Sequence, residues 1–205
     1  VGIIVMALAV LPMLSIGGMQ LFKTESYETP DKVVPKAASF AAGISIVYIT
    51  LTIIWAFMLW GAGMPIFDSI AHAMTTLATG GYSTKSESLA AFNSSTIEII
   101  IIFGMLVGSL PFVHYLALTK NGMKNLIKDD QVKLFLTLVF FVVLIMSLYL
   151  SSNNIPYLEA LRLASFNVIS ILSGTGYVTD DFGLWGKFSL IFFLLLMFFH
   201  FSLHI

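Results

Sequence analysis

The sequence predicts an all-α membrane protein in which full membrane helices alternate with short half-helices in tandem repeats. Of its 205 residues 58% are hydrophobic and only 10% are charged, whereas soluble domains carry about 25% charged residues. Two helical segments are too short to cross a bilayer, which takes about 20 residues, and both end in glycine-rich turns. Each lies between long apolar stretches, so the chain is predicted to contain an internal repeat.

The composition also limits the kinds of site and partner that the chain can have. The chain has no cysteine, which excludes disulfides and thiolate metal sites, and its net charge of −1 gives no indication of nucleic-acid binding. It begins without a methionine inside one apolar run and ends inside another. We therefore expect an incomplete fragment of a longer protein.

Full membrane helices are predicted where an uncharged apolar stretch is long enough to cross a bilayer. Ser95 and Glu98 have the spacing of a capping box at the start of one of them. Trp55 and Trp60 are expected near a membrane interface, where amphipathic rings are favoured. The predicted spans are residues 37–60, 97–118, 134–150 and 184–205, the last one truncated, and residues 1–22 are predicted to end an earlier helix.

The two half-helices are predicted over residues 65–78 and 156–172. Pro65 and Asp68 suit the opening turn of the first, because proline lacks a donor that would be unpaired there and a carboxylate complements the helix dipole. The turns that follow cover residues 79–84 and 173–179. Gly81-Tyr82-Ser83-Thr84 recurs as Gly176-Tyr177-Val178-Thr179, a period of 176 − 81 = 95 residues.

The turns themselves predict a cation site. Glycine allows backbone with positive φ, and non-helical backbone at membrane depth must be buried in protein or line a wet path. Carbonyl oxygens freed from a helix can replace the water around a cation. The alternative is that Gly81 and Gly176 are ordinary helix C-caps.

The lysines indicate which way the chain crosses the membrane. The loops at 23–36 and 120–133 hold seven of the ten basic residues. By the positive-inside rule these loops are predicted to be cytoplasmic. Both half-helices then enter from the outside.

Several polar residues could have either a functional or a structural role. Asp180 and Asp181 would either attract cations to the outer mouth or form an ordinary solvated loop. His72 is expected to be a packed or hydrogen-bonded histidine, because no third partner completes a metal site. Arg162 would be either a charge in the pore region or a residue paired with a partner such as Glu159.

Three motifs in chain order resemble the Trk/Ktr/HKT superfamily of potassium uptake proteins, and the match covers essentially the whole chain. The first resembles the segment that closes the first repeat of the membrane subunit, and the others resemble its second and third pore loops. They are Gly18-Met19-Gln20-Leu21-Phe22, then His72-Ala73-Met74 with Thr79-Gly80-Gly81-Tyr82-Ser83-Thr84, then Gly174-Thr175-Gly176-Tyr177 with Asp180-Asp181-Phe182.

The resemblance implies a potassium-channel-like fold, with four helix–pore-loop–helix repeats around one pore. Residues 1–22, 37–119 and 134–205 would belong to the first, second and third repeats. It also implies that K⁺ passes, by a passive or a Na⁺- or H⁺-coupled route, through a filter of backbone carbonyls. From the residues themselves, Tyr82 and Tyr177 are expected to pack as wedges behind the loops rather than to act as ligands. The implied carbonyl ligands are those of Thr79, Gly80, Gly81, Tyr82, Gly174, Thr175, Gly176 and Tyr177.

The resemblance also suggests where the protein is located and what it binds. The resemblance implies a multi-pass protein of the cell membrane that acts as a homodimer, completes its pore with the missing repeats, and binds a cytoplasmic nucleotide-binding regulatory subunit. It implies no organic cofactor and no metal besides the transported K⁺.

The sequence departs from the family at Gly174, where threonine is usual, and at Met197–Ile205, which lacks the glycines of the family's gate.

Two other classes of function compete with ion permeation. An intramembrane enzyme would need a nucleophile or a metal pair, but the sequence has neither a G-x-S-x-G elbow nor an H-E-x-x-H motif. A transporter for another solute could also use broken helices. Two loops that enter from the same side favour a pore over the inverted repeats of such transporters.

Overall fold

The computed structural model describes residues 30–110, 115 and 129–203, and the regular secondary structure of this part is all helical. Two short 3₁₀ turns, Ser88–Phe92 and Phe182–Trp185, follow the two glycine-rich turns. The all-α fold class predicted from the sequence is confirmed. The helices are α1 (Pro30–Gly61), α2 (Ile66–Leu77), α3 (Ser95–Ser109), α4 (Asp130–Ser152), α5 (Tyr157–Leu172) and α6 (Lys187–Leu203).

Two of the described helices are long and apolar enough to cross a membrane, namely Ala42–Gly61 within α1, with 20 residues, and α4, with 23 residues. Both expose large apolar side chains on their outer faces, including Ile46, Phe57 and Phe140. These surfaces suit contact with lipid.

Several helix boundaries differ from the predicted ones. Helix α1 begins at Pro30, inside the predicted loop 23–36, because proline is well suited to a first helical turn. Helix α4 begins at Asp130, since the side chain of Asp129 caps it by accepting from the backbone N–H of Gln131 at 2.8 Å. Helix α6 begins only at Lys187, because the 3₁₀ turn occupies the first residues of the predicted span.

Helix α3 is shorter than the span predicted at 97–118. It ends at Ser109, and Leu110 is extended, with φ −77° and ψ 147°. The reason lies in the next residue, Pro111, whose ring disfavours the helical conformation in the residue before it. The rest of that predicted span, apart from Tyr115, lies outside the described residues, as do residues 1–29, most of the loop 120–133 and residues 204–205.

Helices of the two repeats pack around one apolar core. Half-helix α2 contacts α1 and α3, and half-helix α5 contacts α3, α4 and α6. Helix α3 therefore touches both half-helices, one from each repeat. Leu59, Leu77, Met105, Met146 and Phe166 are fully buried at the contacts.

The two tryptophans of α1 differ in their surroundings, and their expected place near a membrane interface stays a prediction. Trp55 is only 9% exposed, and its indole N–H donates to the backbone oxygen of Ile100 on α3 at 3.0 Å. Trp60, which is 53% exposed, is accessible as expected for an interfacial ring. The difference arises because Trp55 lies on the face of α1 that meets α3.

Candidate functional site

The two glycine-rich turns end their half-helices in matching ways. We call residues 79–84 the first loop and residues 173–179 the second loop. The backbone N–H of Thr79 donates to the oxygen of Thr76 at 3.1 Å, and that of Gly174 donates to Ile171 at 3.0 Å. Both pairs are related by the 95-residue period, so the repeat seen in the sequence is also a repeat of structure.

The backbone alternates in hand through both loops. The φ angles are +49° at Thr79 and +65° at Gly81, and +71° at Gly174 and +85° at Gly176, whereas the residues between them do not have positive φ. Backbone with these angles is not helical, so its carbonyl oxygens are released from helical hydrogen bonds. Carbonyl oxygens freed in this way can replace the water around a cation.

The same angles explain the departure at Gly174. Its counterpart Thr79 has a left-handed conformation, which is strained for a residue with a branched side chain. Glycine adopts that conformation without strain. The replacement therefore preserves the backbone path of the loop.

Each loop is tethered to its own half-helix by a hydroxyl group. Thr75 Oγ1 donates to the backbone oxygen of Tyr82 at 2.9 Å, and Ser170 Oγ donates to that of Tyr177 at 2.7 Å. These two predicted ligand oxygens are thus partly engaged within the protein. The other six predicted carbonyls accept no hydrogen bond from any described residue, and they belong to Thr79, Gly80, Gly81, Gly174, Thr175 and Gly176.

The structure brings the two loops into contact. A Cβ placed on Gly81 would overlap the backbone oxygen of Thr175. The turn after the first loop also bonds to the second loop, since Leu89 N donates to Val178 O and Val178 N donates to Ser88 Oγ, both at 3.2 Å. The backbone of Gly81 therefore lies directly against the carbonyl oxygen of Thr175, which belongs to the other repeat.

The two loop tyrosines, which the sequence analysis treated alike, differ in their surroundings. Tyr177 is 1% exposed, and its hydroxyl hydrogen-bonds to Thr75 and lies 3.4 Å from Thr76 Oγ1. It therefore packs behind the first loop, in the neighbouring repeat. Tyr82 is 79% exposed, so the wedge role expected for it is not met within the described residues.

Polar contacts fix the outer end of the first loop. Asp68 Oδ1 accepts from the Thr84 hydroxyl at 2.8 Å, and its Oδ2 lies 3.4 Å from Lys85 Nζ. The Thr84 hydrogen bond is the main cause that lowers the pKa of Asp68, which lies in the first turn of a half-helix that does not span the membrane. The carboxylate is therefore charged at neutral pH.

His72 is a structural histidine, as the sequence analysis expected. It is fully buried, with Nδ1 2.7 Å from the backbone oxygen of Asp68 and Nε2 3.0 Å from Ser83 Oγ. Both ring nitrogens are thus occupied by hydrogen bonds. The residue ties the outer end of the first loop to α2.

The carboxylates of Asp180 and Asp181 both make local hydrogen bonds. Asp180 Oδ2 accepts from the Trp185 indole at 2.7 Å, and Asp181 Oδ1 accepts from Gly183 N at 2.9 Å. They therefore cap the 3₁₀ turn that follows the second loop. Attraction of cations by these charges stays a prediction.

The close packing of α3 against the end of α2, where the first loop begins, was not predicted from the sequence. A Cβ on Gly108 would lie 2.9 Å from Leu77 O and 3.0 Å from Thr76 O, and one on Gly104 would lie 2.5 Å from Trp55 Nε1. Only glycine permits so close an approach between helices. The signal was available, because Gly104 and Gly108 have the small-xxx-small spacing of packed membrane helices.

The capping box predicted for Ser95 and Glu98 is wrong. The N-cap of α3 is Ser94, whose side chain accepts from Ile97 N. Glu98 instead forms an ion pair with Arg162 on α5, with 2.7 Å between Oε2 and Nη1. Arg162 therefore has its main partner in the other repeat, and Glu159, at 3.9 Å, is secondary.

Comparison with known proteins identifies the architecture. The family model for the TrkH cation transport protein matches residues 1–201. The chain belongs to the TrkH family of cation transport proteins. Consistent with this, it is a membrane protein, and its resemblance to potassium uptake proteins is confirmed.

Individual relatives agree with the family match. The chain is 36% identical to the Trk system potassium uptake protein TrkI of Halomonas elongata over 200 residues, covering 97% of this chain and 40% of the relative. It is 35% identical to TrkH of Escherichia coli over 192 residues, covering 91% and 40%. The crystal structure of the potassium transporter TrkH from Vibrio parahaemolyticus matches with a TM-score of 0.78 and 31% identity, over 95% of this chain and 40% of that one. The chain thus spans about 40% of the length of these relatives.

Proposed function

We propose that the whole protein is a membrane potassium uptake protein, and that this chain supplies two of the loops that conduct the ion. The observation that carries the proposal is the pair of touching loops with alternating backbone hand and six carbonyls that accept no hydrogen bond from the described residues. K⁺ loses hydration water on entering such a site, and carbonyl oxygens replace it. The relatives that are named as potassium uptake proteins support the same ion.

The proposal includes the missing parts of the pore. Two adjacent loops form only part of a ring, so further loops from the rest of the whole protein complete it. Tyr82 supports this, because it is exposed where its counterpart Tyr177 packs against a neighbouring repeat. We further propose a location in the cell membrane, with the lysine-rich loops 23–36 and 120–133 cytoplasmic.

The remaining partners rest on the family alone. A second copy of the protein would form the homodimer, and a cytoplasmic nucleotide-binding subunit would regulate it through the lysine-rich side. Transport is either passive or coupled to Na⁺ or H⁺. We propose no enzymatic activity, because the hydroxyl groups of four loop residues make hydrogen bonds that hold the loops, namely Ser83, Thr84, Ser173 and Thr175.

Ion-dependent stability tests the proposed function. The purified full-length protein should unfold at a higher temperature in K⁺ or Rb⁺ than in Na⁺ at equal ionic strength, because a bound ion stabilises the folded state. A concentration 100 times the dissociation constant adds about 2.7 kcal/mol. Equal unfolding temperatures in all three ions, together with no growth of a potassium-requiring strain, would overturn the proposal.

The hydroxyl tether of the second loop gives a further prediction. Ser170→Ala should weaken discrimination of K⁺ from Na⁺ several-fold in uptake assays, because the lost hydrogen bond to Tyr177 O is worth about 1 kcal/mol. Ser147→Ala is the matched control, since among the described residues that buried hydroxyl bonds only within its own helix, to Leu144 O at 2.9 Å. Similar selectivity in the two variants would show that the tether does not hold the loop.

A further inference from the structure

A nearly buried ion pair joins the second repeat to the third. Glu98, in the first turn of α3, is 8% exposed, and Arg162, in the second turn of α5, is 26% exposed. Their atoms Oε2 and Nη1 are 2.7 Å apart. Glu159 lies 3.9 Å from Arg162 Nη2 and is 51% exposed, so it screens the arginine from the solvent side only.

This pair is not a general feature of the repeat. At the period of 95 residues, Glu98 corresponds to Phe193 and Arg162 corresponds to Phe67. Phe193 is 1% exposed, so an apolar side chain fills the same position in the third repeat. The fold of one repeat therefore does not need the charges, and their role belongs to the junction between the two repeats.

The position of α3 shows what the junction controls. At Gly108 this helix packs directly against the backbone of Thr76 and Leu77, just before the first loop. Through Glu98 it holds α5, the helix that leads into the second loop. Helix α3 thus connects the supports of both loops, and the ion pair is the charged link within its contact with α5.

We propose that Glu98 and Arg162 are positioning residues that set the second loop against the first and thereby the ion selectivity of the site. This inference rests on the proposed function. Removing one partner of a buried pair leaves the other charge uncompensated. The loss is unequal here, because Arg162 keeps Glu159 and partial access to water, whereas Glu98 has neither. Removing Arg162 is therefore more damaging than removing the charge of Glu98.

The test uses the full-length protein with Glu98→Gln, Arg162→Met and the double variant. Each single change should lower the preference for K⁺ over Na⁺ at least about fivefold, with the larger loss for Arg162→Met. The double variant should be no worse than Arg162→Met alone, because coupled residues are not additive. Glu159→Gln is the control and should stay within about twofold of wild type.

Failure of the positioning role can be distinguished from failure of the proposed function. Wild-type selectivity in both single variants, a loss as large in Glu159→Gln, or lower uptake of K⁺ and Na⁺ with an unchanged ratio would overturn the positioning role. If the wild-type protein itself does not prefer K⁺, the proposed function fails separately. The pair is then judged by unfolding temperatures, where non-additive effects support the junction and additive effects overturn it.

Discussion

Gly81→Ala should abolish potassium uptake by the full-length protein, whereas Gly176→Ala should reduce it only in part. Both glycines have positive φ, which costs an alanine about 1–2 kcal/mol. Only at Gly81 does the added Cβ also overlap backbone of the facing loop, at Thr175, while at Gly176 it meets nothing within 4 Å. Overpacking adds about 1–3 kcal/mol. The fraction of the protein whose first loop has the ion-binding conformation should therefore fall roughly a hundredfold.

Uptake of Rb⁺ or growth of a potassium-requiring strain measures this difference. Gly61→Ala is the control, because a Cβ at that position also meets nothing within 4 Å and its φ is not positive. Membrane abundance of each variant should be measured as well. Uptake by Gly81→Ala equal to that of Gly61→Ala would contradict the contact between the two loops.

Gly108→Ala should destabilise the whole protein and weaken its response to K⁺. The new Cβ would meet the backbone of Leu77 and Thr76 at 2.9 to 3.0 Å. Backbone at the end of a half-helix cannot give way without moving the first loop. We expect a loss of about 1–3 kcal/mol in the free energy of unfolding.

Thermal unfolding with and without K⁺ measures both effects. Gly104→Ala is the comparison, because its new Cβ meets the side chains of Trp55 and Thr76. That variant should lose stability through the Trp55 hydrogen bond but keep its response to K⁺. An unchanged response in Gly108→Ala would mean that α3 does not support the first loop.

Much of the candidate site could be predicted from local sequence. Pro65 and Asp68 set the start of the first half-helix, and the glycines set its end, because these residues act on the backbone beside them. The 95-residue period then transferred the same prediction to the second loop. Pro111 is a local signal of the same kind, because it disfavours helix in the residue before it and so ends α3 at Ser109, short of the predicted residue 118.

Contacts between distant segments could not be predicted in the same way. Tyr82 and Tyr177 share a Gly-Tyr-x-Thr motif, but one is exposed and the other is buried against α2. Glu98 matched a local capping pattern, and only the packing of α3 on α5 showed its partner to be Arg162, 64 residues away. Trp55 likewise has a hydrogen-bond partner 45 residues away.

The sequence by itself determined the helical membrane class, the repeat, the two loops and the family, because each follows from residues acting over one or two turns of chain. The tertiary structure alone decided which loop carbonyls are engaged by hydroxyl groups, which tyrosine is buried and which charges pair across the repeats. These depend on how separate helices approach one another. That approach is set by side chains far apart in the sequence, which no local pattern records.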